Sequence, residues 1–144
     1  MIDKKRQKLI QLLLEKLGQA MKNIHTIKSF PFGDLQLSQS QIMILFFIVQ
    51  EKGRAALKDL AKFMRVTPGA ITQFIDILVQ KKLVVREESR LDRRLISIRL
   101  TSQAAKKFHQ FKKGYFENAS LAFNNLTTEE INQFISFVEK IKNQ

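Results

Sequence analysis

Leu57 to Thr101 reads LKDLAKFMRVTPGAITQFIDILVQKKLVVREESRLDRRLISIRLT, and two changes of period inside this stretch decide the fold. Residues 57–64 repeat apolar positions at helical spacing, with Leu57, Leu60, Ala61 and Met64 on the buried side. A turn of two or three residues follows. Thr67 then reads as the N-cap of a second helix, with Pro68 at the first helical position, where a missing N–H costs no helical hydrogen bond. The core side of this helix is Ile71, Phe74, Ile75 and Leu78. Its opposite side carries Gly69, Thr72, Gln73, Asp76 and Gln80, and Lys81 and Lys82 sit at its C-terminal end, where the dipole favours cations. After that the period falls from 3.6 towards 2. Residues 83–88 and 95–100 read as strands, with Ile96, Ile98 and Leu100 on one face and Ser97 and Arg99 on the other. The six residues between them, Ser89 to Arg94, form a polar, arginine-rich hairpin tip.

Outward from this stretch the chain is helical. On the N-terminal side, Ser38 caps a helix carrying Ile42, Leu45, Phe46 and Val49 that ends at Gly53, a C-cap signal. Phe30, Pro31, Phe32 and Gly33 break the chain before it. Residues 4–28 predict a long helix with Leu9, Leu13, Leu17, Met21 and Ile24 on one stripe, broadened by Ile10, Leu14 and Ile27. On the C-terminal side, residues 102–125 predict a helix. Thr127 with Glu130 three residues on is a capping box for a last one, to about residue 142, with Ile131, Phe134, Ile135, Val138 and Ile141 on one stripe. The terminal stripes are wider than the central lobe can cover.

The 144 residues suit one domain, and 44% hydrophobic with 26% charged content describes a folded chain. The chain has no cysteine, which excludes disulfides, thiol redox switching and Cys-ligated metal. His25 and His109 fall on different helices without ligand spacing, so no metal and no cofactor is expected. There is no glycine-rich phosphate loop and no nucleophile–base constellation, which points away from an enzyme. The apolar run Ile42 to Val49 is far short of the ~20 residues of a membrane span, and no signal peptide is read at the N-terminus, so a cytoplasmic protein is expected. The net charge of +12 is uneven. Residues 81–113 hold eleven basic and three acidic residues, whereas residues 114–144 hold two and four. Such clustering suits a polyanion, and on charge alone nucleic acid and a membrane surface both stay open.

The order of elements separates them. Short helix, tight turn, helix and two-stranded hairpin is a winged helix-turn-helix. A helix fits the major groove, and the small polar face of Gly69, Thr72 and Gln73 lets it come close to base edges. Arg90, Arg93 and Arg94 at the hairpin tip suit the negative potential of a narrow minor groove. Taken singly, each residue is equally an ordinary cap or solvated surface.

In this arrangement the chain resembles the MarR family of winged-helix transcriptional regulators, at motif level from about residue 35 to about residue 101. Asp92-Arg93-Arg94, five residues, then Leu100-Thr101 matches the family's Asp-x-Arg and Leu-Thr wing pattern. Leu37-Ser38-Gln39-Ser40-Gln41 is similar to its Leu-Thr/Ser-x-x-Gln, and Leu60-Ala61 opens a stretch like its recognition region. Ala104, Lys82 and Leu95 depart from the pattern, where glycine is usual at the first two positions and a small residue at the third.

The resemblance implies a single domain over 1–144 of the mainly α class with a small β wing. Residues 35–101 would be the winged helix-turn-helix lobe that binds DNA, and 1–30 and 102–144 the dimerisation helices. It implies a homodimeric, sequence-specific DNA-binding regulator, a repressor, acting on a pseudo-palindromic operator. Thr67, Gly69, Thr72 and Gln73 become the major-groove contacts, with Gln73 the base reader, since a carboxamide bonds adenine at two points. Arg94 becomes the minor-groove finger, Asp92 its brace, and Arg90 and Arg93 phosphate or groove contacts. It also implies release by a small aromatic effector, with His25, Phe30, Phe46 and Tyr115, and further Phe32 and Phe47, as candidate pocket residues. A winged-helix protein-interaction module and a non-specific architectural DNA-binding protein are the alternatives.

Overall fold

A computed structural model describes residues 3–24 and 29–141. The chain divides into two compact units, Ile27–Lys113 and the two ends, Met1–Thr26 with Gly114–Gln144.

The central unit begins with a hairpin, β1 (Ser29–Phe32) and β2 (Leu35–Ser38), where the sequence reading placed only a break. Gly33 and Asp34 form its two-residue turn. Gly33 has φ +62°, the first-position conformation that favours glycine in tight hairpins. Leu37 and Phe32 from this hairpin are fully buried. Ser38 then caps α2 (Gln39–Gln50) as expected, and the cap is reciprocal. Its Oγ accepts the Gln41 N–H at 3.3 Å, while Gln41 Oε1 accepts the Ser38 N–H at 2.8 Å. Gln41 is the one buried polar residue among those described, and this bond satisfies its carbonyl. The buried stripe of α2 is Ile42, Ile44, Leu45 and Ile48, one step round from the predicted one, leaving Phe46 and Val49 half-buried.

After α2 comes β3 (Arg54–Ala56), then α3 (Leu57–Met64), α4 (Pro68–Gln80), the wing strands β4 (Val84–Glu88) and β5 (Ile96–Leu100), and α5 (Ser102–Leu121). The two wing strands pair antiparallel with Val84 opposite Leu100 and Glu88 opposite Ile96. The short β3 adds to the other edge of β5, so the sheet order is β3-β5-β4, not the two-stranded wing expected. Three residues are too few for a period to show. Leu60, Ile71, Ile75, Leu78, Leu83, Val84, Ile98, Leu100 and Phe108 close the core between helices and sheet. Thr101 joins wing to helix. Its hydroxyl donates to the Lys82 carbonyl at 2.8 Å and accepts the Ala104 N–H at 3.1 Å. Ala104, which replaces the expected glycine, is fully buried.

In the other unit, α1 spans Lys4–Ile24 and α6 spans Thr128–Glu139. Asp3 Oδ1 accepts the Lys5 N–H at 3.1 Å and so caps α1. The predicted extension of α1 to residue 28 lies outside the described residues. The Thr127–Glu130 capping box of α6 forms as read, with Glu130 Oε2 accepting the Thr127 N–H at 2.8 Å. α5 stops four residues before the predicted end, because the Ala122 and Phe123 N–H groups bond three residues back, to Ala119 and Ser120, and two asparagines follow. Neither α1 nor α6 has a buried residue. Leu9, Leu13, Met21, Phe134, Ile135 and Val138 stand exposed along them.

Candidate nucleic-acid interface

The helix pair α3 and α4 is joined by a turn whose pivot is Arg65, at φ 53° in the left-handed region. The Val66 N–H donates to the Ala61 carbonyl at 3.1 Å and the Arg65 N–H to the Lys62 carbonyl at 3.1 Å, which closes α3 and aims the chain into α4. Thr67 caps α4 as predicted, its Oγ1 accepting the Ala70 N–H at 3.2 Å. Thr67, Gly69, Thr72 and Gln73 are all exposed, so one open surface carries the four predicted major-groove residues. A Cβ built on Gly69 meets nothing within 4 Å, so packing does not require glycine there. The Thr72 hydroxyl donates to the Pro68 carbonyl at 2.9 Å, which leaves its oxygen free to accept and turns its methyl group by constraint.

The hairpin tip is held by its own polar groups. The Ser89 N–H donates to the Leu95 carbonyl at 2.9 Å, and the Leu95 N–H donates to the Asp92 carbonyl at 3.0 Å. Asp92 Oδ1 accepts the Arg94 N–H at 3.0 Å and lies 3.6 Å from Arg94 Nε. The Arg94 side chain is 94% exposed, and Arg90 and Arg93 are exposed beside it. The tip is therefore a hydrogen-bonded turn presenting three guanidinium groups to solvent.

Two contacts that the sequence reading missed tie wing to helix and strand to strand. Arg86 of β4 pairs with Asp76 of α4 and also donates to the Thr72 carbonyl at 3.3 Å. The strand thus grips the helix at the turn that carries Thr72 and Gln73. Alternation placed Arg86 on the wing, but nothing in the chain order said that it reaches α4. On the sheet, Glu87 of β4 takes Arg99 Nε of β5 at 2.7 Å and Arg54 Nη2 of β3 at 2.7 Å. The Arg99 hydrogen bond and the Arg54 charge hold the Glu87 carboxyl below the usual carboxylate range, against an opposing effect of burial. Asp34, in the β1–β2 turn, is lowered too, first by a backbone hydrogen bond and then by Lys107 at 3.3 Å.

Beneath the wing lies a cavity of about 360 Å³, lined by Leu57, Ala61, Ile71 and Ile96 with Lys58 and Arg94 among its polar groups. Of the predicted effector residues, Phe46 packs edge-on against Phe108 at 4.9 Å between ring centroids and lies 6.5 Å from Phe111. Tyr115 belongs to the other unit, edge-on to Phe116 at 5.6 Å. His25 lies outside the described residues. Phe30 forms part of β1. Phe32 is buried against Phe111, and Phe47 stacks at a tilt on Phe63, 4.6 Å away. Among the described residues no group of three His, Asp or Glu side chains could hold a metal ion, and no helix is long and apolar enough to cross a membrane.

The family model described as the MarR family matches residues 37–96, from the hairpin's end through the start of β5. The "Uncharacterized HTH-type transcriptional regulator YpoP" of Bacillus subtilis (strain 168) is 30% identical over 108 residues, 75% of this chain and 76% of that protein. The "HTH-type transcriptional repressor YetL" of the same organism is 29% identical over 130 residues, 90% of this chain and 77% of that protein. Among solved structures, a mutant MarR from E. coli complexed with operator DNA aligns with a TM-score of 0.67 at 22% identity, over 94% of this chain and 92% of that one.

Proposed function

The chain belongs to the MarR family of transcriptional regulators, and from that premise we propose that it is a cytoplasmic repressor, not an enzyme, that binds a pseudo-palindromic operator as a homodimer. The observation that carries this reading is the shared exposure, within one compact lobe, of the small polar face of α4 and the arginine tip of the wing. A helix face of Gly69, Thr72 and Gln73 suits base edges in the major groove, while Arg90, Arg93 and Arg94 suit the minor groove and its phosphates. Operator DNA in the complex of the E. coli protein and the word repressor in the name of YetL support the same direction. The bare apolar stripes of α1 and α6 support a second copy, and a twofold pair would set its half-sites one helical turn, roughly 34–36 Å, or a multiple apart. A small aromatic acid belongs to the reading as effector. The residues read for it are His25, Phe30, Phe46 and Tyr115, whereas the cavity beneath the wing has a different lining, Leu57, Ala61, Ile71 and Ile96 with Lys58 and Arg94, and so does not support those residues as the effector pocket.

The test is binding of the full chain to the DNA upstream of its own gene against random DNA of equal length, at about 50 and about 200 mM salt. The expected result is much tighter binding to the upstream fragment, with both affinities falling steeply as salt rises. Gln73→Ala should cost about 1–3 kcal/mol on that fragment and relax its choice at one position. Equal, salt-sensitive binding to both fragments favours an architectural protein or an operator that lies elsewhere, and absence of binding to either at low salt overturns the DNA reading in favour of a protein-interaction module.

A further inference from the structure

The most exposed large apolar side chain among the described residues is Leu91, at 99%. It stands at the tip of the wing, between Arg90 and Asp92 and next to Arg93 and Arg94. A leucine left in water gives the fold no hydrophobic stabilisation. Its position is not slack. Ser89 Oγ accepts the Leu91 N–H at 3.2 Å and the Asp92 N–H at 3.4 Å, and the turn is closed by the Leu95 N–H on the Asp92 carbonyl. The backbone therefore holds the side chain out into solvent instead of letting it fold back on Leu95 or the sheet. Its neighbours in the turn are three exposed arginines and one aspartate, whose carboxylate is engaged with Arg94. An apolar point on a turn that carries three arginines matches one surface well: the floor of a nucleic-acid groove between two phosphate walls.

Resting on the DNA-binding reading above, we propose that Leu91 is a specificity-determining side chain that wedges against a base step in the minor groove while Arg90, Arg93 and Arg94 hold the walls. Apolar wedges part stacked bases, and they do so most easily at flexible pyrimidine–purine steps such as TA. The wing would then select sequence without a hydrogen bond to any base. None of the four predicted wing contacts, Arg90, Asp92, Arg93 and Arg94, has this property, since each acts through charge.

The experiment uses the full chain, its Leu91→Ser variant and two duplexes of about 24 base pairs, longer than two half-sites one turn apart. One duplex alternates dT and dA, with 2-aminopurine in place of one central adenine. The other is an unbroken dA tract on its complement. The wild-type chain is expected to prefer the alternating duplex and to raise the 2-aminopurine fluorescence on binding. Leu91→Ser should bind the alternating duplex about tenfold more weakly, from the apolar surface lost. It should lose both the preference and the fluorescence rise. Its salt slope should stay unchanged, because no charge was removed. Its melting temperature should also stay unchanged, which separates lost contact from lost fold. Arg90→Gln is the counterpart, with a slope reduced by about two, one for each wing of the dimer, and the preference intact. A Leu91→Ser variant that keeps wild-type affinity and preference overturns the wedge and leaves the DNA reading standing. A wild-type chain that binds neither duplex at low salt overturns the DNA reading and the wedge together.

Discussion

Gly69 and Lys82 show two residues placed against local preference, for different reasons. Gly69 lies in the first turn of α4 with no positive φ and open space around a built Cβ, so neither backbone nor packing asks for glycine. Alanine there should raise helix stability by about 0.5 kcal/mol, a melting temperature higher by about 1–2 °C. If α4 lies in the major groove with its backbone close to the bases, the same methyl group should weaken operator binding. Opposite signs in thermal melting and in DNA titration are the expected outcome, and improved stability with unchanged affinity would remove Gly69 from the interface. Lys82 is the reverse case. It holds φ 58° at the end of α4, where its N–H reaches the Val79 carbonyl at 2.9 Å and the next N–H, of Leu83, reaches the Leu78 carbonyl at 3.0 Å. The motif favours glycine, and Leu78 and Leu83 complete it as a buried pair. Lys82→Gly should therefore stabilise the lobe by about 0.5–1 kcal/mol, read as a raised denaturation midpoint. Lys52 and Arg65 carry the same strain at φ 61° and φ 53°, so α2, α3 and α4 each end on a left-handed basic residue. Sequence reading placed the α2 cap on Gly53; the left-handed turn begins one residue earlier, at Lys52, and Gly53 follows at φ 90°.

Elements were legible where a period or a cap was long enough to read. α3, α4, the Ser38 cap and the Thr127–Glu130 capping box follow directly from the sequence, because side-chain chemistry at one or two positions fixes a whole helix start, while the reciprocal Gln41 bond appears only in the structure. The β1–β2 hairpin was hidden by Pro31, which reads as a breaker, although Gly33-Asp34 between Phe32 and Leu35 was a usable turn signal. β3 was hidden by its length, and its role appears only in three dimensions, where Arg54 meets Glu87 across β5. Which residues of the interface share a surface was readable from helical spacing. The Arg86–Asp76 clamp was not, because it joins residues ten apart on two elements whose approach the chain order leaves open. The Glu87 bridge yields a pH dependence at this scale. Its carboxyl is lowered in the folded sheet, so the bridge stabilises above the unfolded value and is lost as pH falls through the lower, folded one. The wild-type melting temperature should therefore drop between about pH 5 and pH 3 more steeply than that of Glu87→Gln, with the two curves converging at the acid end. Parallel curves would mean that the bridge contributes nothing, as many exposed ion pairs do.

At the scale of the molecule, the two units differ in how far they are finished. The lobe Ile27–Lys113 contains every described residue that is buried, from Phe32 to Phe108. The unit made of the two ends has helices whose apolar stripes face water: Leu13 is 51% exposed, Ile135 51% and Phe137 59%. Exposed leucines scattered singly need no explanation, but contiguous stripes along two helices do. A second copy covers both at once under twofold symmetry, since each stripe then meets its own counterpart or the other's. The charge distribution fits this in part: residues 81–113 carry net +8 and suit DNA, residues 114–144 carry net −2, and residues 1–26 carry net +4, so α1 brings its own basic face beside its apolar stripe. The expected particle has about twice the 16.8 kDa chain mass, measured by sedimentation at micromolar concentration. Leu13→Glu changes the surface twice per dimer and should give the chain mass, with operator affinity falling towards that of one half-site. Phe63→Glu is the control, because Phe63 is 42% exposed on α3 in the other unit. It should stay dimeric. If Leu13→Glu sediments as the wild type does while Phe63→Glu dissociates, the lobes and not the terminal helices hold the pair together. The two recognition helices would then be set by α3, and the one-turn spacing of half-sites would no longer follow from the ends of the chain.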